Sequence, residues 1–326
     1  MKKIDIFGAP VVLHGFDAEG VKKLWRLPFA LHDQVNLGVA TLCKHTSGGR
    51  IRFCTDSKKL SVRVTVTEDC LFPHMPLSGS SGVDLFVNGR FVQNWRPDLN
   101  RRVFSFEYNM SGEKNEICFY LPLYNGVEAF ELYADDGAFI GAPRPYTHQK
   151  PVVFYGSSIT QGACASRPSN NYVAEVCEIV DADFRNLGFS GNALGEENIA
   201  DYIAGLDMSV FVLDYDHNSW TERLDETHER FFKQVRAKNP TLPIIMMTRP
   251  DFDANIPDST RRREIVKRTY DNAVASGDKF VAFLDGETFF GNVLRDHCTP
   301  DTCHPTDLGF ERMAMAVLPA LKKFLS

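Results

Sequence analysis

The sequence has no long run of apolar residues and no excess of positive charge. None of its apolar stretches approaches the roughly 20 residues that a membrane-spanning helix needs, and its net charge at pH 7 is -6. Proteins that bind nucleic acid usually carry a basic patch that contacts the phosphates. We therefore expect neither a membrane nor a nucleic acid as a partner. The basic run Arg261–Arg263 lies in a helical pattern and is interpreted as a solvated helix face.

Features typical of a secreted protein are also missing. Two lysines follow the first residue, but Asp5, Gly8 and Pro10 interrupt the apolar stretch that a signal peptide requires. Eight cysteines in 326 residues do not make a disulfide framework. We predict a cytoplasmic protein with free thiols. The spacing of Cys298 and Cys303 leaves two alternatives open, a disulfide or two packed thiols.

Residues 1–150 carry the signals of an all-β domain. In "LSVRVTVT", which starts at Leu60, apolar and polar residues alternate as they do in a half-buried strand. Asn88 and Gly89 lie between two β-rich runs, which is the strongest short-range signal for a hairpin. Further short strands follow at close spacing. The pattern predicts an N-terminal β-sandwich domain, similar to a jelly roll.

Residues 151–326, which follow a proline-rich connector, alternate strands with helices. Five apolar runs, beginning with "VVFY" at Val152, are each followed by a helical pattern. This alternation predicts a parallel sheet covered on both faces by helices. Binding and catalytic sites in such sheets gather at the carboxyl ends of the strands.

Hydroxyl, imidazole and carboxylate groups follow the first and last of these strands. Ser157 and Ser158 come directly after the first strand, and Asp301 and His304 come after the last. A serine hydroxyl is a weak nucleophile unless a base lies within hydrogen-bonding reach. On a tight loop, a D-x-x-H pair can bring the carboxylate to Nδ1 and leave Nε2 for the serine. These residues predict nucleophilic catalysis by a serine.

Three groups are candidates to bind an oxyanion. Gly191 is predicted to end the second strand, where its N–H can approach a substrate because no Cβ intervenes. Asn218 is predicted to end the third strand, and the N–H of Ser158 is the remaining donor. Loss of one such donor typically lowers the rate by roughly 10²–10³.

Together and in this order, the segments resemble the SGNH/GDSL hydrolase superfamily. "GSSITQG", "GFSGNA", "DYDHN" and "DTCHP" are similar to its four sequence blocks. The resemblance implies a flavodoxin-like α/β/α three-layer domain without a cofactor. It also implies Ser158 as nucleophile, His304 and Asp301 as its partners, and Gly191 and Asn218 in the oxyanion hole. "GSSGVDLFVNG" resembles the G-x-D-L-[YF] signature of the β-domain that precedes one branch of these esterases, as in two-domain carbohydrate esterases.

The chain departs from the family pattern at two blocks. Ser157 stands where the first block usually has Asp, so Ser157 remains an alternative nucleophile to Ser158. The third block is not the usual Gly-x-Asn-Asp, because Asp216 and His217 precede Asn218. The role of Asn218 therefore depends on a looser match than the role of Ser158.

Further residues are candidates for substrate contact. His217 and Arg249 lie near strand ends, and His74 lies in "FPHMP" of the first domain. Each has a structural alternative, namely an internal hydrogen bond for His217 and an ion pair for Arg249. A second Gly-Ser-Ser, within "SGSSG" from Ser78 to Gly82, lacks a following helix and a paired histidine motif, so we interpret it as a turn.

A cluster of histidine and cysteine near the C-terminus raises the alternative of a metal site. His297, Cys298, Cys303 and His304 lie within eight residues. Structural zinc sites need closely spaced pairs and a second pair of ligands, which the sequence does not provide. We predict no metal, and we expect His304 to act as a base rather than as a ligand.

These features predict a serine esterase that acts on a carboxylic ester through an acyl-enzyme. The expected substrate is an O-acetyl or other O-acyl group on a carbohydrate, or another small ester. Two alternatives remain: an acyltransferase with the same triad, and a carbohydrate-binding or scaffold protein with an inert hydrolase domain. The sequence does not indicate an oligomeric state.

Overall fold

Antiparallel strands form most of the N-terminal part of the fold. The computed structural model describes residues 1–69 and 71–326, so Cys70 lies outside the described residues. In chain order the elements are β1 (Lys2–Ile4), β2 (Val12–His14), α1 (Phe29–His32), α2 (Leu37–Leu42), β3 (Arg50–Thr55), β4 (Lys59–Val66), α3 (Leu77–Ser80), β5 (Val83–Val87), β6 (Arg90–Trp95), β7 (Val103–Asn109), β8 (Asn115–Tyr120), β9 (Val127–Ala134) and β10 (Ile140–Gly141).

Two antiparallel sheets pack into the predicted β-sandwich. One has the strand order β1-β9-β4-β7, and the other has the order β10-β3-β8-β5-β6 with β2 paired to β3. The alternation predicted along β4 is confirmed, because every second residue from Leu60 to Val66 is buried in the core shared by the sheets. The hairpin is also confirmed. Asn88 and Gly89 join β5 to β6 with φ of 52° and 73°, the two positive values of a type I′ turn.

The C-terminal part is the predicted parallel sheet with a helix layer on each face. Its elements are β11 (His148–Gly156), α4 (Ser158–Gln161), α5 (Tyr172–Ile179), β12 (Ala182–Gly188), α6 (Glu197–Ala204), β13 (Val210–Asp214), α7 (Thr221–Lys238), β14 (Ile244–Met247), α8 (Ile256–Ala275), β15 (Val281–Leu284) and α9 (Asp307–Leu325). The strand order is β12-β11-β13-β14-β15. This is the flavodoxin-like order, with its switch point between β11 and β13, where ligands bind in such folds.

Alternate residues of β11 face opposite layers. Val152 and Phe154 pack with α5 and α9, whereas Val153 and Tyr155 pack with α6, α7 and α8. A strand buried on both faces must be apolar at consecutive positions, which explains the unbroken run in "VVFY".

A segment near the N-terminus leaves the sandwich. Leu27, Leu31, Val39 and Cys43 pack into the core between the parallel sheet and helices α6 to α8. These residues therefore belong to the core of the C-terminal part and not to the core of the sandwich. The division at residues 150 and 151 stays a prediction; β11 begins at His148.

The seven cysteines in the described part of the chain are free, including Cys298 and Cys303, so of the two alternatives for this pair the structure has the thiols.

Among the helices that the structure describes, none is long and apolar enough to span a bilayer.

Candidate active site

Ser158 is the first residue of helix α4, immediately beyond the carboxyl end of β11. Ser157 is the N-cap of this helix, and its Oγ accepts a hydrogen bond of 3.1 Å from the N–H of Ile159. Asp and Ser both cap helices well, so Ser157 can do what an Asp at this position would do. A side chain at Gly156 would place Cβ 2.0 Å from Thr160 Oγ1, which only glycine avoids. The strand-to-helix turn therefore presents Ser158 and retains Ser157 as a cap.

Ser158, His304 and Asp301 lie in one hydrogen-bonded chain. Ser158 Oγ is 3.0 Å from His304 Nε2, although the two residues are 146 positions apart. On the other side of the ring, His304 Nδ1 is 2.7 Å from Asp301 Oδ2. The Asp301 Oδ1 atom accepts hydrogen bonds from the N–H groups of Cys303 at 3.0 Å and His304 at 2.8 Å. One carboxylate thus fixes both the ring orientation and the loop backbone.

The loop that carries His304 is anchored at the start of α9. Asp307, in the first turn of this helix, accepts hydrogen bonds from the N–H of Ser166 at 2.8 Å and from its Oγ at 2.5 Å. Asn170 Nδ2 donates a third hydrogen bond, of 2.9 Å, to the same carboxylate. The Asp307 carboxylate therefore ties the segment after α4 to the start of α9, next to the loop that carries His304.

The groups around His304 raise the pKa of its imidazole. Burial lowers the pKa of His304, but Cys303 and Asp301 more than offset this, so the pKa is raised above its usual value. Burial raises the pKa of Asp301, whereas hydrogen bonds from the His304 ring and from two backbone N–H groups lower it overall. The pair is a carboxylate that stabilises an imidazolium.

The oxyanion candidates Gly191 and Asn218 lie in loops, not at strand ends. We expected them to close their strands, and this was wrong, because β12 ends at Gly188 and β13 ends at Asp214. Gly191 has a φ of 70°, the left-handed region that favours glycine.

Donor groups in these loops have no internal acceptor. Within the described residues, the N–H groups of Ser158 and Gly191 donate no hydrogen bond to the backbone. The side-chain Oδ1 of Asn218 is an acceptor that is buried without a partner. The N–H groups of Ser158 and Gly191 are free to donate to a substrate oxygen, and their convergence with the Asn218 amide on one atom stays a prediction.

Arg262 braces the loop that carries Asn218. Its Nη1 donates to the carbonyl oxygens of Asp216 and of Ser219, the latter at 2.5 Å, and its Nε donates to Asp258 Oδ2 at 2.6 Å. We expected all three arginines at 261–263 to be solvated. That was wrong for Arg262, which is buried because the loop's carbonyl groups need a donor.

His217 and Arg249 converge on one buried carboxylate. Asp251 Oδ2 is 3.0 Å from His217 Nε2, and Asp251 Oδ1 accepts a 2.9 Å hydrogen bond from Arg249 Nε. The Cys303 Sγ atom lies 3.5 Å from the same His217 Nε2. Arg249 therefore makes the internal ion pair that was its structural alternative. Contact of either residue with substrate stays a prediction.

The N-terminal domain reaches the site through His74 and Tyr124. The His74 ring centroid lies 5.3 Å from that of His304, so this candidate for substrate contact stands beside the predicted base. The Tyr124 hydroxyl donates a 3.1 Å hydrogen bond to the carbonyl oxygen of Ser158. Sequence analysis missed Tyr124, since a tyrosine between two strands carries no local signal of this contact.

The second Gly-Ser-Ser segment forms a contact between the domains. It lies in and after α3, a single helical turn, and Ser78 Oγ donates to the carbonyl oxygen of Ser166 at 2.7 Å. Nearby, Asp84 Oδ2 accepts hydrogen bonds from the N–H of Ser169 at 2.9 Å and from its Oγ at 2.8 Å. Asp84 is the Asp of the G-x-D-L-[YF] signature. The signature thus fastens the β-sandwich to the segment that anchors Asp307.

Among the described residues, two groups of side chains have atoms close enough to hold a metal ion. Their potential ligand atoms lie within 4.8 Å of one another, and the groups are His74, Cys164, Asp301 and His304, and His217, Asp251 and Cys303. Both nitrogens of His304 are already hydrogen-bonded, and the Arg249 guanidinium occupies Asp251. Neither group includes His297 or Cys298, which sequence spacing had suggested as ligands. The absence of a metal stays a prediction.

Family models match both parts of the chain. Residues 149–322 match the GDSL-like lipase/acylhydrolase family. Residues 7–140 match GxDLY, the N-terminal region of SGNH-hydrolase-type esterases. No curated protein matches the chain.

Solved structures share the two-domain layout. A protein of Bacteroides ovatus named as a GDSL-like lipase is 28% identical with a TM-score of 0.86, and the match covers 96% of this chain and 95% of that chain. The salicylyl-acyltransferase SsfX3 from a tetracycline biosynthetic pathway is 20% identical with a TM-score of 0.81, covering 99% and 97%. A family two carbohydrate esterase from Clostridium thermocellum, in complex with cellohexaose, is 15% identical with a TM-score of 0.64, covering 86% and 93%.

Proposed function

The chain belongs to the GDSL-like lipase/acylhydrolase family, and from this premise we propose that it is a serine esterase that hydrolyses carboxylic esters. The observation that carries the proposal is the chain of contacts from Ser158 Oγ to His304 Nε2, at 3.0 Å, and from His304 Nδ1 to Asp301, at 2.7 Å. This arrangement of nucleophile, base and orienting carboxylate is recognised by its geometry and not by sequence position.

The first step acylates Ser158. His304 Nε2 takes the hydroxyl proton as Ser158 Oγ attacks the ester carbonyl carbon. Asp301 stabilises the imidazolium that forms, and it holds the tautomer that leaves Nε2 free. The carbonyl oxygen, now an oxyanion, is received by the N–H groups of Ser158 and Gly191 and by the Asn218 amide. Collapse of the intermediate passes the proton from His304 to the leaving alcohol.

The second step releases the acid. Water replaces the alcohol, His304 removes its proton, and the resulting hydroxide attacks the acyl carbonyl carbon. A second oxyanion forms at the same donors. Its collapse returns the proton from His304 to Ser158 Oγ and frees the carboxylic acid. The cycle needs no cofactor, because the side chains supply every proton transfer.

We propose small acyl groups, such as acetyl on a carbohydrate, as the substrate class. Ser158 is only 5% exposed, which suits a short acyl group better than a long chain. The exposed His74 of the β-sandwich stands beside His304, so the N-terminal domain can also contact the alcohol part of the ester. The carbohydrate esterases of the same fold support a glycan as that alcohol.

Acyl transfer is the second candidate, favoured by the fold similarity to an acyltransferase over 99% of the chain. The two activities share the acyl-enzyme and differ only in whether water or another hydroxyl attacks it. Product analysis with an added sugar or alcohol acceptor separates them. Acyl transfer predicts an acylated acceptor at the expense of free acid, whereas hydrolysis predicts free acid throughout.

Replacement of the proposed nucleophile and base tests the esterase activity. Hydrolysis of p-nitrophenyl acetate and of acetylated sugars by Ser158→Ala and His304→Ala should fall by more than about 10³-fold. Ser157→Ala serves as the matched control, since it removes a neighbouring hydroxyl that caps α4, and it should retain most of the turnover. Wild-type turnover in Ser158→Ala, or glycan binding by a wild-type protein without any turnover, would contradict the proposal. The second result would favour an inert hydrolase domain.

A further inference from the structure

Cys303 stands between two imidazole rings and takes no part in the mechanism above. Its Sγ atom lies 3.5 Å from His217 Nε2, and it precedes His304 in the chain. Cys303 is half-buried, whereas five other described cysteines are buried, namely Cys43, Cys54, Cys164, Cys177 and Cys298. Cys303 is therefore a more exposed residue than those five.

The surroundings of Cys303 favour its thiolate form. Burial raises the pKa of the thiol, but hydrogen bonds and charge from His217 and His304 lower it to about 7. Hydrogen bonds to Asp251 and Cys303 raise the pKa of His217 to about 10, against the effect of burial. The His217 ring that contacts the Cys303 sulfur is held in place by Asp251, which Arg249 binds in turn.

Cys118 and Cys164 have the opposite environment. Burial raises the pKa of Cys118 to about 12 and that of Cys164 to about 12. Cys118 is half-buried like Cys303, so exposure alone does not distinguish the two. The contact with imidazole distinguishes Cys303 from Cys118, because an adjacent imidazolium stabilises the nucleophilic thiolate.

The geometry argues against Cys303 as a second hydrolytic nucleophile. In a triad, the base contacts the nucleophile through one ring nitrogen and the carboxylate through the other. Here Cys303 and Asp251 both contact Nε2 of His217, so no proton relay runs through the ring. A cavity of about 320 Å³ lies beside the same loop and is lined by Asp251 and by Thr302, the residue before Cys303.

We propose that Cys303 is a modification site, at which hydroperoxides and other small electrophiles react with the thiolate and thereby block the Ser158–His304 pair. With hydrogen peroxide, sulfur attacks one peroxide oxygen, an S–O bond forms and the O–O bond breaks. The other oxygen leaves as hydroxide and is protonated to water. The sulfur loses two electrons to the peroxide and becomes a sulfenic acid, which a thiol reduces again. The added oxygen removes the thiolate charge that faces His217 and His304.

Alkylation with iodoacetamide tests the site without reference to ester hydrolysis. At pH 6.5, in a Cys70→Ser background, peptide mass spectrometry should show Cys303 reacting at least about tenfold faster than the matched Cys118, because a lower thiol pKa raises the thiolate fraction more than it lowers nucleophilicity. His217→Gln should slow Cys303 selectively and move the midpoint of its pH–rate curve upwards. Equal rates at Cys303 and Cys118, or a curve unchanged by His217→Gln, overturn the proposal.

Inhibition by hydrogen peroxide tests whether modification of Cys303 blocks the Ser158–His304 pair. This experiment depends on the proposed esterase activity. Peroxide should abolish p-nitrophenyl acetate hydrolysis, dimedone should label Cys303, and dithiothreitol should restore turnover. Cys303→Ser, or Cys303→Ala if it retains more turnover, should resist peroxide, whereas Cys118→Ser should be inhibited like the wild type. Persistent inhibition of both Cys303 variants overturns the block. If the untreated protein hydrolyses no ester, the esterase proposal fails, and the alkylation result still decides the modification site.

Discussion

The hydroxyl of Tyr124 donates a hydrogen bond of 3.1 Å to the carbonyl oxygen of Ser158, and it does so from the other domain. Tyr124 lies between β8 and β9 of the sandwich, whereas Ser158 opens α4 after the first parallel strand. The same carbonyl oxygen accepts from the N–H groups of Gly162 and Ala163. The β-sandwich is therefore part of the support of the nucleophile and not only an attached binding domain.

Tyr124→Phe should weaken this support without unfolding the protein. The Ser158 carbonyl keeps two backbone donors, so we expect a loss of about 1 kcal/mol in the free energy of unfolding. We also expect a several-fold fall in kcat, because Ser158 is less firmly placed. Urea unfolding and steady-state kinetics measure the two effects. Tyr133→Phe on β9 is the control; equal effects of both variants would contradict a role for the Tyr124 hydroxyl.

Asp84→Asn should loosen the contact between the domains. Asp84 Oδ2 accepts hydrogen bonds from the N–H and the hydroxyl of Ser169, and Oδ1 accepts one from Asn94 Nδ2, so in either orientation the NH₂ group of an asparagine would face a donor. The expected loss is about 1–3 kcal/mol in the free energy of unfolding, measured by urea titration. Since the adjoining segment anchors Asp307, kcat should fall as well. The exposed Asp98→Asn should change neither quantity, and a stable, fully active Asp84→Asn protein would show that the contact is dispensable.

Adjacent arginines on α8 should respond very differently to substitution. Arg262→Ala removes the buried guanidinium that bridges two loop carbonyls and Asp258, and we expect a loss of about 3 kcal/mol in the free energy of unfolding. Arg261→Ala removes a side chain that is 63% exposed, so its effect should stay within about 0.5 kcal/mol. Thermal and urea unfolding of both variants provide the comparison. Equal free energies of unfolding for the Arg262→Ala and Arg261→Ala proteins would contradict a structural role for the buried Arg262 guanidinium.

The raised pKa of His304 should appear in the pH dependence of turnover. His304 must be neutral to act as a base, so kcat/KM should rise as the pH rises through its pKa, which is raised above that of an unperturbed histidine. Cys303 and Asp301 both raise this pKa, so Cys303→Ala should move the acid limb to lower pH with moderate loss of rate. Asp301→Asn should move it in the same direction and reduce kcat severely, because the ring loses its orientation. A pH profile recorded from pH 5 to 9 checks both shifts. An acid limb that stays in place in both variants would show that it does not arise from His304.

Local sequence patterns predicted most of the fold, but they missed contacts between residues that are far apart in the sequence. Alternation in β4, the turn at Asn88-Gly89 and the strand–helix succession are properties of short segments, and each has its counterpart in the structure. The positions of Gly191 and Asn218 were wrong by a few residues because the apolar signal of a strand continues into the buried loop beyond it. The bonds of Arg262 and Tyr124 to carbonyl oxygens of distant loops have no local signal at all, since every residue presents the same carbonyl group.

Labelling by a fluorophosphonate probe tests the central claim most directly, because the probe reacts only with a serine that a neighbouring base activates. We expect one label per chain, placed on Ser158 and not on Ser157 by fragment-ion mass spectrometry. The label should persist in Ser157→Ala, and its rate of formation should fall by about 100-fold or more in His304→Ala. A label on Ser157, no label on native protein, or an unchanged rate in His304→Ala would contradict the account.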